Sequence, residues 1–256
     1  MISIKSKEEI ATLREGGKQL ASILLCVAKA VRPGVSSLEL DALARRLIAE
    51  GGDTPSFLNY QGNGDKKKFP AALCVSVNDE VVHGVPSAEK ILRDGDIVGV
   101  DLGLFHKGLC TDAAVTVAVG TISEESRNLL EVTKQTLARA VAAARAGATI
   151  GDIGYAVESF VKQAGNFGIV RDLAGHGVGY AVHEEPFVPN YGKRGDGINL
   201  EVGMVLALEP MLTLGSEKIV MSHDGFAFRT KDGSRSAHFE HTVAITENGA
   251  EVLTKL

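Results

Sequence analysis

Gly95-Asp-Ile-Val-Gly-Val-Asp101 and Gly203-Met-Val-Leu-Ala-Leu-Glu209 repeat one pattern: a glycine, an apolar run of strand character, and a carboxylate six residues after the glycine. A charge that ends an apolar strand is costly unless it is paired or bound to a cation. The chain does it again further on. Asp112-Ala-Ala-Val-Thr-Val and Glu240-His-Thr-Val-Ala-Ile each open another apolar strand on a carboxylate.

The repetition extends backwards from these strands. Ser6, followed by Lys7, Glu8 and Glu9, reads as a helix cap, and Ile10, Leu13, Gly17, Leu20, Leu24 and Val27 continue at helical spacing to about Arg32-Pro33-Gly34. Ser36 or Ser37 caps a second helix with an apolar stripe of Leu40, Leu43, Leu47 and Ile48, stopped by Gly51-Gly52. β-Branched runs then predict strands over Leu73–Val77, Val81–Val85, Ile97–Leu102 and Ala113–Val119. The second half restarts with Ser123 and Glu124 opening a helix to about Arg145, and Thr149 capping another that carries Ile153, Val157, Phe160 and Val161. Arg32-Pro-Gly-Val-Ser36 aligns with Arg145-Ala-Gly-Ala-Thr149, and in the same register Leu40 pairs with Ile153, Leu47 with Phe160 and Gly52 with Gly165. Two copies are too few for a solenoid, so the expected architecture is α+β, one domain over residues 1–256 with halves about 1–121 and 122–256 sharing a curved sheet.

Composition bounds the function. With 45% hydrophobic and 23% charged residues, the 256-residue chain has ordinary globular content. A net charge of −5 and the lack of a basic stripe argue against duplex DNA as a partner. Lys66, Lys67 and Lys68, between Gly62, Gly64 and Pro70, read as a solvated loop, with a contact to an acidic partner such as ribosomal RNA as the other reading. Cys26, Cys74 and Cys110 are odd in number and far apart, which fits a reducing compartment. The N-terminus turns charged at once and no 18-residue apolar run occurs, so the expected location is the cytoplasm, with no membrane partner.

If a pseudo-dyad relates the halves, Asp101, Asp112, Glu209 and Glu240 converge. Any one of them alone would be read as an ion pair or a cap; four in repeat-related positions would repel, and a pair of divalent cations is the simplest remedy. Ala174-Gly-His176-Gly-Val-Gly179 suggests a further ligand, an imidazole left uncrowded by flanking glycines on irregular backbone. His183-Glu-Glu-Pro186 follows closely. The zincin HExxH helix is absent, and the glycines here do not complete a dinucleotide-binding GxGxxG.

Asp101, Asp112, His176, Glu209 and Glu240 resemble the five metal ligands of type I methionine aminopeptidases. The resemblance spans nearly the whole chain, through Asn78-Asp-Glu-Val-Val-His83-Gly-Val-Pro86, the Asp-x10-Asp spacing, His176 to Pro186, Leu208-Glu-Pro-Met211 and Glu240-His-Thr-Val. It implies the pita-bread fold, two pseudo-symmetric helix-helix-strand halves around a curved antiparallel sheet. It further implies two divalent ions of the Mn, Fe, Co or Zn kind, bridged by Asp112 and Glu240, with Asp101 on one side and His176 and Glu209 on the other. The implied reaction is removal of the initiator methionine from nascent polypeptides whose second residue is small, by a water that both ions share.

In that scheme Glu209 relays a proton, His183 hydrogen-bonds the carbonyl oxygen, and His83 contacts the scissile amide nitrogen. The methionine side chain is expected against Tyr60, Phe69, Cys74 and Phe226, with Phe57 nearby. The implied enzyme is a monomer that meets the ribosome transiently. Xaa-Pro aminopeptidases and prolidases, of the same fold, usually carry a large N-terminal domain, whereas Ser6 enters the first helix almost at once. For the same reason the family's optional zinc-finger extension is not expected. The chain departs from the family in Asp224-Gly-Phe226-Ala-Phe228, where a tryptophan is usual, in the Gly64-Asp-Lys-Lys67 stretch, and in Val182.

Overall fold

The computed structural model describes residues 2–62 and 66–255. Four helices begin where short polar side chains satisfy the free amides of a first turn: α1 (Lys7–Ala30), α2 (Ser37–Glu50), α3 (Glu124–Ala143) and α4 (Ile150–Ala164). Ser6, Ser36 and Thr149 form reciprocal capping boxes with Glu9, Glu39 and Asp152, and Ser123 caps α3. Of the two serines offered as a cap for α2, Ser36 is the one used.

The strands pair antiparallel throughout. The longest hairpin joins Ile97–His106 to Leu109–Ala118 through Lys107 and Gly108, at φ 49° and 85°. Two positive φ values make the turn that suits a right-twisted hairpin, and they lock the register. Gly103 therefore faces Asp112, and Asp101 faces Ala114, so the two aspartates lie diagonally on one face. A slip of one residue would turn Asp112 away from Asp101.

In the second half Val205–Leu208 pairs with His241–Thr246, and Met211–Thr213 with Ser236–His238. Leu208 faces His241 and Met211 faces His238, so one register runs through both pairings. The break between them falls at Glu209-Pro210, where proline has no amide to give. Ala174–Gly177 lies on the other edge of Val205–Leu208, with His176 facing Ala207.

A seam joins the two halves. Glu240 and Ala114 exchange backbone hydrogen bonds, Glu240 N to Ala114 O at 2.9 Å and the return bond at 3.4 Å, the signature of an antiparallel pair. On either side a threonine hydroxyl replaces the direct bonds. Thr242 Oγ1 accepts from Asp112 N at 2.9 Å and donates to Asp112 O at 2.7 Å. Thr116 Oγ1 does the same for His238, at 2.9 and 2.8 Å. Asp112 and Glu240 are thus brought side by side by backbone pairing, before any side chain interacts.

The helices cover this sheet. Leu20, Ile23, Leu24 and Val27 of α1 pack with Leu40, Ala44 and Ile48 of α2 over Val98, Val100, Leu102 and Leu104. Leu137 and Ala140 of α3 and Ile153 and Val157 of α4 pack over Leu206, Leu208, Val243 and Ile245. At Gly17 a Cβ would stand 2.4 Å from Leu253 O, so only glycine lets α1 sit against the backbone that follows the last strand, Gly249–Val252. Among the described residues no helix is long and apolar enough to cross a membrane.

Candidate metal centre

The structure brings Asp101, Asp112, His176, Glu209 and Glu240 to one cleft, together with His83, His183, Tyr60, Phe57, Phe69, Cys74 and Phe226. Three details of the sequence reading are corrected. Asp101 does not end its strand but sits inside Ile97–His106, and Asp112 lies inside Leu109–Ala118 without opening it, because the pairing continues around the tight Lys107-Gly108 turn. His176 is not on irregular backbone but in the strand Ala174–Gly177, where the register to Glu184–Pro189 shifts between Gly175 and Gly177. The flanking glycines serve close strand approach: a Cβ on Gly175 would stand 2.4 Å from Ala207 O.

Asp112, His176 and Glu240 each offer a ligand atom within 4.8 Å of the others. Asp101 and Glu209 flank this group, with Glu209 Oε1 3.5 Å from His176 Nε2. Nδ1 of His176 lies 2.9 Å from Gly177 O, an arrangement that keeps the proton there and leaves the Nε2 lone pair for a ligand role. Asn190 donates to the Glu209 carbonyl at 3.0 Å.

The electrostatics show what such a cluster needs. Burial, then Asp112 and Glu209, pushes the Asp101 carboxyl well above the usual range; burial and Glu209 push Asp112 up to about 7; burial and the three other carboxylates push Glu240 well up. Burial also works against Glu209, but the neighbouring imidazoles, His238 first and then His176 and His183, hold it low. Asp101 Oδ1 and Asp112 Oδ1 are buried with no hydrogen-bond partner. Orphaned, oxygen-rich and like-charged, these residues fit divalent cations, which would displace the protons the carboxylates otherwise hold.

His183 lies beside His176, ring centroids 4.4 Å apart. Burial, followed by the neighbouring His176, lowers its pKa to about 3, so the ring is neutral at working pH. Tyr60 Oη lies 2.6 Å from His183 Nδ1. His83 adopts φ 59°, a backbone state rare outside glycine and typical of residues a site holds under strain. Gly84 permits it: a Cβ there would stand 2.2 Å from Val75 O. Phe69 and Phe226 meet edge to face at 5.6 Å, and burial holds the Cys74 thiol protonated between them and Asp101. Lys66, Lys67 and Lys68 are exposed, and Lys67 Nζ reaches Asp224 O at 3.5 Å; Gly64 and Asp65 of that loop lie outside the described residues.

The segment carrying His183 is tied to the N-terminus. Glu184 accepts from Lys5 Nζ at 2.6 Å, from Ala181 N at 3.0 Å and from the Ser3 hydroxyl, while Lys5 N bonds Gly203 O at 2.8 Å. With the Lys5 side chain 1% and the Glu184 side chain 13% exposed, removing either partner leaves the other, largely out of water, without its counter-charge. Lys5→Met is expected to cost about 3 kcal/mol, lowering the melting temperature by roughly 6–12 °C. Hydrogen bonds from Lys5, Ser3 and Ala181 outweigh burial and hold Glu184 below its usual pKa, so its stabilisation is full above the unfolded carboxylate pKa and fades as pH falls through the folded one. Thermal denaturation over pH 3–7 checks both; an unchanged Lys5→Met melting temperature would contradict the ion pair's role.

The model of metallopeptidase family M24 matches residues 11–247. The methionine aminopeptidase of Aquifex aeolicus is 44% identical over 100% of this chain and 99% of its own, and methionine aminopeptidase 1 of Bacillus subtilis is 41% identical over 100% of both. The chain belongs to family M24, among the methionine aminopeptidases. The crystal structure of methionine aminopeptidase from Thermotoga maritima superposes with a TM-score of 0.95 at 43% identity, covering 100% of each chain. The fold is accordingly the pita-bread architecture, and the M24 chain is a metallopeptidase that uses divalent metal.

Some residues of this M24 site were not legible in its sequence. Val82, Met221 and Phe228 also line the cleft, with Met221 57% exposed at its mouth. Their strands, Glu80–Val82, Ile219–Met221 and Phe228–Thr230, are three residues each, too short for alternation to mark a face. His238 was missed as well, although it stands two residues before Glu240, and alternate strand residues share a face. Its Nε2 lies 3.4 Å from Glu209 Oε2.

Proposed function

We propose that the chain removes the initiator methionine from nascent polypeptides whose second residue is small, acting as a monomeric cytoplasmic aminopeptidase with two divalent ions of the Mn, Fe, Co or Zn type. The supporting observation is the cleft itself, where five ligand-type side chains, two further imidazoles and an apolar pocket share one wall-to-wall lining. Residues 1–256 act as one catalytic domain, in which the halves about 1–121 and 122–256 supply Asp101 and Asp112 from one side and His176, Glu209 and Glu240 from the other.

Asp101, Asp112, His176, Glu209 and Glu240 would hold the ions, with Asp112 and Glu240 adjacent across the seam. When bound, the ions supply Lewis acidity and a water of lowered pKa. The protein's residues do the rest. Glu209 takes the proton of the attacking water on a carboxylate oxygen and delivers it to the departing amine. His183, neutral and with Tyr60 on Nδ1, presents Nε2–H to the carbonyl oxygen as charge grows on it. His83 hydrogen-bonds the scissile amide nitrogen. The acidic end of the cleft recognises a free α-amine, and Phe57, Tyr60, Phe69, Cys74 and Phe226 hold the thioether side chain. Nascent N-termini are the partner, met in transient contact with the ribosome.

Selectivity follows from crowding. His83 and His183 both border the bond to be cut, so a bulky second residue displaces the carbonyl, and a misplacement of about 1 Å costs roughly a hundredfold in rate. Met-Ala peptides are therefore expected to be cleaved about 100 times faster than Met-Ile peptides, measured as kcat/KM by methionine release. Equal values would contradict the crowded site.

A further inference from the structure

We propose that His238 is a positioning residue for Glu209, donating Nε2–H to Oε2 and so leaving Oε1 turned towards His176 and the cation site. This rests on the reading of Glu209 as ligand and proton carrier. The Glu209 carboxylate is straddled by two imidazoles, with Oε1 3.5 Å from His176 Nε2 and Oε2 3.4 Å from His238 Nε2. The two rings are not equivalent. His176 lines the cleft, whereas His238 is 3% exposed and does not border it, so it acts on substrate only through Glu209.

Three observations set His238 apart from a packing residue. Its Nε2 is buried without a well-formed hydrogen bond, and the polar group it faces is Glu209 Oε2. Buried donors in native proteins are nearly always paired, and Glu209 Oε2 at 3.4 Å is the acceptor within reach. Its backbone is held by both bonds to Thr116 Oγ1, from the strand that carries Asp112, so the ring is indexed to the other half of the site. Its pairing opposite Met211 places it two residues before Glu240 and across from a strand that begins two residues after Glu209. Ligating carboxylates are commonly oriented by such an outer hydrogen bond, and losing it typically costs 10–100-fold in metal affinity or activity.

The test uses the full chain stripped of metal and titrated with Mn2+ by calorimetry, alongside kcat and KM on Met-Gly-Met. His238→Leu is expected to weaken Mn2+ binding about 10–100-fold and lower kcat with little change in KM, while His238→Gln, which keeps a donor, restores most of both. Should His238→Leu fail to fold, as judged by its melting curve, His238→Asn serves: its shorter amide cannot reach Oε2, and it is expected to bind Mn2+ about tenfold less tightly than His238→Gln. Folded variants that bind Mn2+ and turn over like the parent chain would overturn the proposal. A parent chain that binds Mn2+ but leaves Met-Gly-Met intact would overturn the aminopeptidase reading while the Mn2+ comparison still decides the role of His238; a parent chain that binds no Mn2+ overturns both.

Discussion

Asp112→Asn or Glu240→Gln is expected to abolish turnover, a larger loss than the roughly 10–100-fold that removal of an outer hydrogen-bond partner produces. Both side chains lie at the centre of the cluster, within 4.8 Å of each other and of His176 at their ligand atoms, and both backbones are fixed by the seam at Ala114, Glu240 and Thr242. Losing one carboxylate removes a negative charge from the cluster without moving the strands, so metal content measured by elemental analysis should fall together with kcat. The metal-free protein should respond in the opposite sense. Because burial and the charge of Glu209 raise Asp112 above its unfolded pKa, ionising it destabilises the folded state, a penalty that sets in above the unfolded carboxylate pKa and grows until pH passes the folded value of about 7. A neutral isostere removes it. Metal-free Asp112→Asn should therefore melt higher than the metal-free parent at pH 7 to 8; a lower melting temperature together with full activity would refute the electrostatic reading.

His183→Ala is expected to lower kcat by about 10²–10³-fold while metal content stays near that of the parent chain. The ring is neutral, is hydrogen-bonded by Tyr60, and meets His176 edge to face. Tyr60→Phe should move kcat the same way by less, since the ring remains and only the group fixing its tautomer is lost. Steady-state kinetics on Met-Gly-Met with elemental analysis of the same samples separates the cases. If His183→Ala emptied the site of metal, the division between ligand and oxyanion donor would be wrong.

Much of this was legible in the sequence because the signals are local or repeated. Ser6, Ser36, Ser123 and Thr149 each begin a helix by satisfying amides a few residues ahead, and those residues are adjacent in the chain. The carboxylates stood out because charge recurred at matching places in two apolar strands. What stayed hidden depends on contacts between distant segments. Nothing near Asp101 in the chain says that its strand runs on to His106; the partner strand and the Lys107-Gly108 turn decide that. The Thr116 and Thr242 hydroxyls that bridge the halves look like ordinary strand residues until the seam is seen. His238 and Met221 enter the site through pairing and loop packing, and the clamp of Lys5 on Glu184 joins residues at opposite ends of the chain.

The central claim is that this cleft is a metal-dependent aminopeptidase site with a pocket for methionine. The most direct test incubates the full chain with Met-Gly-Met and with an Xaa-Pro dipeptide, each with added Mn2+ or Co2+ and each with a chelator control. The expected result is release of methionine from Met-Gly-Met that the chelator abolishes and added metal restores, with little cleavage of the Xaa-Pro dipeptide. Hydrolysis of Met-Gly-Met that persists in chelator, or a clear preference for the Xaa-Pro bond, would contradict it.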